Sequence, residues 1–501
     1  MTRRRRLISL LAALVVVLAA VVVVLVVRHH TSGPPASLAG PVITIGAPLP
    51  APAIPPGFVG LSLEQNSLEK YTGTNSSALD PVFLQLIRNI DPGQDPVLRL
   101  GGDSTDKSWY PVPDLAQPPW VKFTFTPSWL TMTHALAAAL HAKLIVGVNF
   151  EADSAKITAA EASALLSGLG RSAVQALELG NEPELYSGFG WYRNAAGVPV
   201  LGRGPSWSPA QYAQQASALA HALPAVPLAG PAVGSTKWIA ALPTILAGDR
   251  ALSLVTVHAY PLKHCTAASH PTIGQLLAPS SSNGLAAGVA PAVREAARHG
   301  LKLRVGEMNA VSCGGEPGVS NSFASALWSL DTLFAMARTG VAGVNFHTSP
   351  RVSNRLFAFA QPAGRWTGSV YPVYYGILMF ARAVPAGSRL LSVAGPSTAT
   401  VPVWAVRTPH GQVHVVVINK RLGGSQTITI RVPGAHGAGT VERLNAPSLA
   451  AESGETLAGQ SFGASTSTGL AAGARRVERP IHRGDEYRVT VPAHSAALLT
   501  V

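Results

Sequence analysis

The chain has 501 residues, of which 47% are hydrophobic, 13% charged and 6% aromatic. That is too apolar for a disordered chain, which could not offset the entropy lost on ordering. Two cysteines exclude a disulfide-dense mini-scaffold and any Cys-rich zinc or iron–sulfur site. The formal net charge of +13 does not signal a nucleic-acid binder, because Arg3–Arg6 and Arg28 flank one hydrophobic run and the other charges are scattered. No basic stripe interleaves with aromatics to follow a phosphate backbone.

The first segment of note is Leu7–Val27, 21 residues whose only polar side chain is Ser9. As a helix it spans a hydrocarbon core of about 30 Å. Its length, and small residues that lie inside the run rather than after it, favour an uncleaved signal anchor; secretion after cleavage is the alternative. The arginines stay cytoplasmic, which puts everything beyond Arg28 on the extracellular face. Residues 1–30 are therefore expected to form the Arg cluster and transmembrane helix. Residues 31–56 read as a Pro-rich linker, within which Pro41–Gly46 is a short strand that joins the sheet of the last domain.

From residue 57 to 386 a strand-then-helix rhythm follows. Apolar runs occur at 58–63, 97–101, 143–149, 176–180, 226–230, 252–257, 301–306 and 340–346. Near-continuous branched and leucine runs suit parallel strands buried on both faces. Helical patterns lie between them at 131–141, 157–169, 209–222, 287–298 and 321–337. Eight such units predict an α/β fold, a (β/α)8 TIM barrel. No Gly-x-Gly-x-x-Gly follows the first strand, which argues against a doubly wound dinucleotide fold. Beyond residue 387 come short strands without intervening helices, at 403–407, 413–419, 426–432, 487–491 and 496–501. They predict a C-terminal antiparallel β-sandwich over 387–501.

In a barrel, polar residues at strand C-termini face the catalytic opening. The fourth strand ends in Leu179-Gly-Asn-Glu-Pro-Glu184 and the seventh in Val305-Gly-Glu-Met-Asn309. Each places a carboxylate just beyond an apolar strand, Glu182 and Glu307. Paired carboxyl groups about 5–5.5 Å apart are what retaining glycoside hydrolysis requires, one attacking the anomeric carbon and the other protonating the leaving oxygen. Glu178 and Glu184 read as structural. Tyr186, Phe189, Trp191 and Tyr192 either stack on sugar or pack within their own loop.

Longer stretches carry a resemblance. Phe58-Val-Gly-Leu-Ser-Leu-Glu64, Leu98-Arg-Leu-Gly-Gly-Asp103, Glu178-Leu-Gly-Asn-Glu-Pro-Glu184, Val257-His-Ala-Tyr-Pro261 and Gly306-Glu-Met-Asn-Ala-Val-Ser-Cys-Gly-Gly315 occur in that order. Val319–Trp328 and Gly343–His347 follow. Together they resemble glycoside hydrolase family 79, the β-glucuronidases and heparanase-like enzymes, from about residue 57 to the C-terminus. The resemblance implies a glucuronide or related β-glycoside as substrate, Glu182 as acid/base and Glu307 as nucleophile, and no cofactor. It implies that Asn181 hydrogen-bonds the sugar 2-OH, that Tyr260 holds the nucleophile, and that Glu64 and Asp103 contact sugar hydroxyls. His258 and His347 line the same face, without a spacing that supplies three metal ligands.

Recognition of the substrate carboxylate is where the chain departs from that pattern. Gly314-Gly315 matches the family's backbone-amide pair, but Ser312 stands where a tyrosine is common, and no tyrosine lies between His347 and Trp366. Arg351 and Arg355 occupy that loop and are expected to pair with the carboxylate instead. The departure keeps a neutral β-glycoside open as the substrate, and a catalytically silent carbohydrate-binding protein as a different class. Cys265 and Cys313 fall in adjacent loops after the sixth and seventh strands, and outside the cytoplasm they are expected to form a disulfide.

Overall fold

The computed structural model describes residues 38, 40–93, 95–249 and 251–501. The expected anchor Leu7–Val27 lies outside them, and among the described residues no helix is long and apolar enough to cross a membrane. The first regular element, β1 (Val42–Pro48), belongs to the second domain. The next eight main strands form the barrel: β2 (Val59–Glu64), β3 (Val97–Gly101), β4 (Lys143–Val148), β5 (Val174–Leu179), β6 (Leu228–Val233), β7 (Leu252–Ala259), β8 (Lys302–Met308) and β9 (Val344–Thr348). They pair in parallel in chain order and close between β9 and β2.

A helix follows each strand: α1 (Pro81–Ile90), α2 (Pro127–Leu140), α3 (Ala155–Leu169), α4 (Pro209–Ala220), α5 (Leu242–Gly248), α6 (Asn283–Arg298), α7 (Phe323–Thr339) and α8 (Pro372–Ala383). Their starts are written locally. Pro81, Pro127 and Pro209 take the first helical position, where a missing N–H costs nothing. The side chains of Asp80, Thr126 and Ser208 just before them accept from the backbone N–H groups of Val82, Trp129 and Gln211. Helices α1, α5 and α8 have no counterpart among the helical patterns of the sequence; α5 is seven residues long, too short to repeat a 3.6-residue period.

The barrel interior is not wholly apolar. Ser62, Arg99, Glu178, Thr256, Arg304 and Asn345 are buried within it. Arg304, toward the N-terminal end of the strands, donates to Asn345 Oδ1 and to the Gly57 carbonyl. Register aligns the other end. Ser62 lies beside Arg99 on one side and His347 on the other, and His258 lies beside Glu307.

The second domain holds β10 (Arg389–Ala394), β11 (Val403–Arg407), β12 (Val413–Asn419), β13 (Gln426–Arg431), β14 (Thr440–Asn445), β15 (Thr456–Leu457), β16 (Ile481–Arg483), β17 (Glu486–Val491) and β18 (Ser495–Thr500). Rather than two separate sheets, they form one ten-stranded sheet in the order β15-β14-β18-β12-β11-β10-β1-β13-β17-β16. The sheet curls so that Val403, Val415 and Leu499 share a core with Ile43, Ile430 and Val489, which gives it the two facing layers of a sandwich. In its middle β1 pairs antiparallel with β10 and parallel with β13. The other face of the sheet packs on α7. Trp404 stacks on Phe334 with centroids 5.6 Å apart, while its Nε1 and Lys420 Nζ both reach the Asp331 carboxylate, at 2.7 and 2.6 Å.

Candidate active site

The C-terminal ends of β2, β3, β5, β7, β8 and β9 converge on Glu307. Its carboxylate is buried and gripped from both sides: Arg99 Nη1 donates to Oε1 at 2.5 Å, and the Tyr260 hydroxyl to Oε2 at 2.8 Å. His347 Nδ1 and His258 Nδ1 stand 3.6 and 3.8 Å away. Burial alone would raise the pKa of Glu307, but His347, His258, Arg99 and the Tyr260 hydrogen bond outweigh it and hold the group well below the usual carboxylate range. Glu307 is an anion, aimed and dry.

Arg99 organises this floor. Fully buried on β3, it also donates from Nε to Glu178 at 2.5 Å, from Nη1 to Ser62 Oγ at 3.1 Å and from Nη2 to Asn181 Oδ1 at 2.8 Å. An uncompensated buried guanidinium would cost several kcal/mol; Glu178 and Glu307 supply the two countercharges. Glu178, assigned from sequence to a structural role, therefore lies one residue removed from the Glu307 carboxylate.

Glu182 approaches from the opposite wall. Its backbone is left-handed (φ 45°), a conformation non-glycine residues seldom adopt. The loop enforces it: Glu182 N–H donates to Ala232, and its carbonyl accepts from Leu185. Gly180 (φ +75°) makes the approach possible, since a Cβ there would lie 2.3 Å from the Tyr186 hydroxyl. Glu182 Oε1 is 2.9 Å from His258 Nδ1, so a proton sits on one of the two atoms. Glu182 Oε1 and Glu307 Oε2 thus neighbour the same nitrogen, at 2.9 and 3.8 Å. The two oxygens therefore stand no farther apart than the sum of those two distances.

Around this pair the rim residues divide by what they are already bonded to. Glu64 accepts from the N–H groups of Asp103 and Ser104, at 3.1 and 2.8 Å, so it caps the loop after β3. Asp103 projects from that loop into solvent. Asp106, which the sequence did not single out, accepts from the N–H groups of Phe150, Glu151 and Asn181 and from the Tyr186 hydroxyl, tying the loops after β3, β4 and β5 together. Glu184 accepts from Gly234 and Ser235 N–H at 2.5 and 2.7 Å; burial and the charge of Glu182 push its pKa up to about 7. The aromatics also divide. Tyr186 is buried, Trp191 stacks on Trp120 with centroids 4.9 Å apart, Tyr192 sits edge-on to Trp191, and Phe189 stands in solvent.

Cys265 and Cys313 are joined as a disulfide. Directly after it, Gly314 and Gly315 both have positive φ (87° and 88°). The Gly314 carbonyl accepts from Ser353 and the Gly315 carbonyl from His264; no hydrogen bond from either glycine's N–H is found among the described residues. Arg351 is exposed. Arg355 lies 4.4 Å over the Tyr371 ring, with a buried Nε that has no hydrogen-bond partner. Ligating atoms of His264, His270 and Glu316 gather within 4.8 Å of one another. This group was not foreseen, because its members come from two loops; His264 Nδ1 lies 2.6 Å from Glu316 Oε2.

Residues 403–498 match the model of the glycosyl hydrolase family 79 C-terminal beta domain. The match covers most of the second domain and makes that domain similar to those of glycoside hydrolase family 79. A curated β-glucuronidase of Aspergillus niger is 28% identical over 228 residues, 40% of this chain and 42% of that protein; the match therefore spans less than half of the relative. Among solved structures, a 4-O-α-L-rhamnosyl-β-D-glucuronidase of Fusarium oxysporum superposes with a TM-score of 0.73 at 20% identity, covering 92% of this chain and all of its own. A family 51 arabinofuranosidase of Xanthomonas axonopodis superposes at 0.64 and 14% identity, covering 92% and 99%. These likenesses establish the shared two-domain fold.

Proposed function

We propose that this chain is a retaining β-glucuronidase of glycoside hydrolase family 79. The observation that carries the reading is the opposed setting of two carboxyl groups around His258: Glu307 held as an anion by Arg99 and Tyr260, Glu182 sharing a proton with the imidazole. In the first half-reaction a Glu307 oxygen attacks the anomeric carbon as the glycosidic C–O bond breaks, and Glu182 gives its proton to the departing oxygen. The charge of Glu307 is then consumed in the ester. Glu182, now a carboxylate, takes a proton from water as that water attacks the same carbon and releases Glu307. Asn181, its Oδ1 occupied by Arg99, presents its NH2 group to the sugar 2-OH.

Glucuronide preference is supported by the β-glucuronidase relatives and by the free amides of Gly314 and Gly315, a fit for a carboxylate. The disulfide, which persists in oxidising compartments, supports a location outside the cytoplasm, with Leu7–Val27 as anchor. A panel of chromogenic β-glycosides tests the substrate. Turnover of the aryl β-glucuronide should exceed that of the β-glucoside by orders of magnitude, and the reverse order would assign a neutral sugar. Glu307→Gln should abolish turnover while substrate still binds. Glu182→Ala should retain activity only on good leaving groups and recover with azide, and the first anomer released should keep the β configuration.

A further inference from the structure

The loop that carries the acid also carries an unusual amount of exposed apolar surface. Nine large hydrophobic side chains are exposed among the described residues, and four of them, Leu185, Phe189, Val198 and Leu201, fall between residues 185 and 201. Phe189 is 71% exposed. Leaving a phenyl ring in water forfeits a favourable burial, and such patches commonly mark binding surfaces. Phe189 and Leu185 line one cleft with Glu182, Asp103, Lys107 and Trp191.

The patch is held in place. Leu185 N–H donates to the Glu182 carbonyl, and Phe189 N–H donates to the Leu185 carbonyl, both at 2.8 Å, so Phe189 follows the backbone of the acid. Trp191 is fixed by its stack on Trp120 and by its Nε1 donating to Asp106 O at 2.6 Å. The polar groups of the cleft are largely committed: Asp106 accepts four hydrogen bonds and Asn181 Oδ1 is taken by Arg99. The polar side chains that remain, Asp103, Lys107, Glu151 and the Asn181 amide, lie on the side of the cleft that holds Glu182, while Leu185 and Phe189 offer a second sugar no donors or acceptors.

We propose that Phe189 and Leu185 form a leaving-group subsite for a flat, apolar aglycone such as a fused aromatic ring system. The inference rests on the reading of Glu182 as the acid, because the group it protonates must depart on its side of the cleft. Hydrolysis of 2-naphthyl β-glucuronide and of a glucuronyl-β-galactose disaccharide is compared in wild type, Phe189→Ala and Leu185→Ala, with binding of free 2-naphthol followed by calorimetry. Phe189→Ala should lower kcat/KM for the naphthyl substrate about tenfold, leave the disaccharide within about twofold, and weaken naphthol binding. Equal effects on both substrates, or none, with the glucuronidase activity present, would overturn the subsite and keep the enzyme. If no glucuronide is hydrolysed, the functional reading falls. The apolar site then stands on Phe189-dependent naphthol binding and falls without it.

Discussion

Tyr260→Phe isolates one of the forces that keep Glu307 ionised. The change deletes a single oxygen whose proton is donated to Glu307 Oε2 at 2.8 Å, while Arg99 and both histidines remain. A hydrogen bond to a buried carboxylate contributes about 1.5–3 kcal/mol, and most of it is lost when the carboxylate takes up a proton. At about 1.4 kcal/mol per pH unit, the pKa of Glu307 should rise by about 1–2 units from its depressed position. The attacking form is the anion, so activity falls as pH drops through this pKa, and the variant's acid limb must move to higher pH. The assay is kcat/KM for an aryl β-glucuronide from pH 2 to 8, where the variant should lose activity at the acidic end and the wild type keep it, with thermal melts at each pH to confirm the fold. The alkaline limb should stay in place. An acid limb that does not move in a folded variant would refute the account of how Glu307 is kept charged.

Glu151 offers a prediction about stability. Burial and the neighbouring Asp106 push its pKa up to about 9, so the folded chain keeps a proton that the unfolded chain gives up. Its contribution is therefore fully present below the ordinary value of 4.5 and is lost as pH rises toward 9, reaching up to about 3 kcal/mol by pH 7. Glu151→Gln should raise the melting temperature at pH 8 and leave it unchanged at pH 4; an identical shift at both would refute this. Reducing the Cys265–Cys313 bridge, whose sequence separation is 48, should cost up to about 4 kcal/mol, read as a drop in melting temperature with dithiothreitol that Cys265→Ser abolishes. Because the bridge adjoins Gly314-Gly315, KM for the glucuronide should rise as well. Arg351→Ala, at an exposed position, should leave that KM unchanged, whereas Arg355→Ala should raise it severalfold if its unpartnered Nε serves the substrate carboxylate; equal KM values would remove Arg355 from recognition.

The barrel could be read from the chain because a strand buried on both faces must be apolar along its length. All eight runs are found as strands, within a few residues at their ends. Helices α1 and α8 were missed for an opposite reason: Pro81 and Pro372, which punctuate the pattern, stand inside helices at their first turn. The second domain was legible as strands but not as a sheet. Which edges pair depends on curl and on contacts between residues hundreds apart, such as Thr44 beside both Ala394 and Arg431. The rest of the site was hidden similarly. His264, His270 and Glu316 have no shared spacing, and only the two loops brought together by the disulfide make them neighbours.

Arg99 is the instructive omission. It is a charge in the middle of Val97-Leu-Arg-Leu-Gly101 rather than at a strand end, and a guanidinium in a strand buried on both faces requires an anion inside the barrel. The candidates were few. Glu178 is the one acid within the fourth apolar run, and Glu307 closes the seventh. Balancing charge across the strands places Arg99 between those two acids from the sequence alone. The same rule explains why Glu178 is more than a scaffold residue. Glu178→Gln leaves Arg99 with Glu307 as its only hydrogen-bonded anion, and the guanidinium should then bind that carboxylate more tightly. The nucleophile becomes a weaker base and a weaker attacker. The expected signature is a fall in kcat with KM and the melting temperature kept, because only the reactivity of Glu307 changes. A fall in kcat that tracks a lowered melting temperature would mean that Glu178 serves only the packing of the strand.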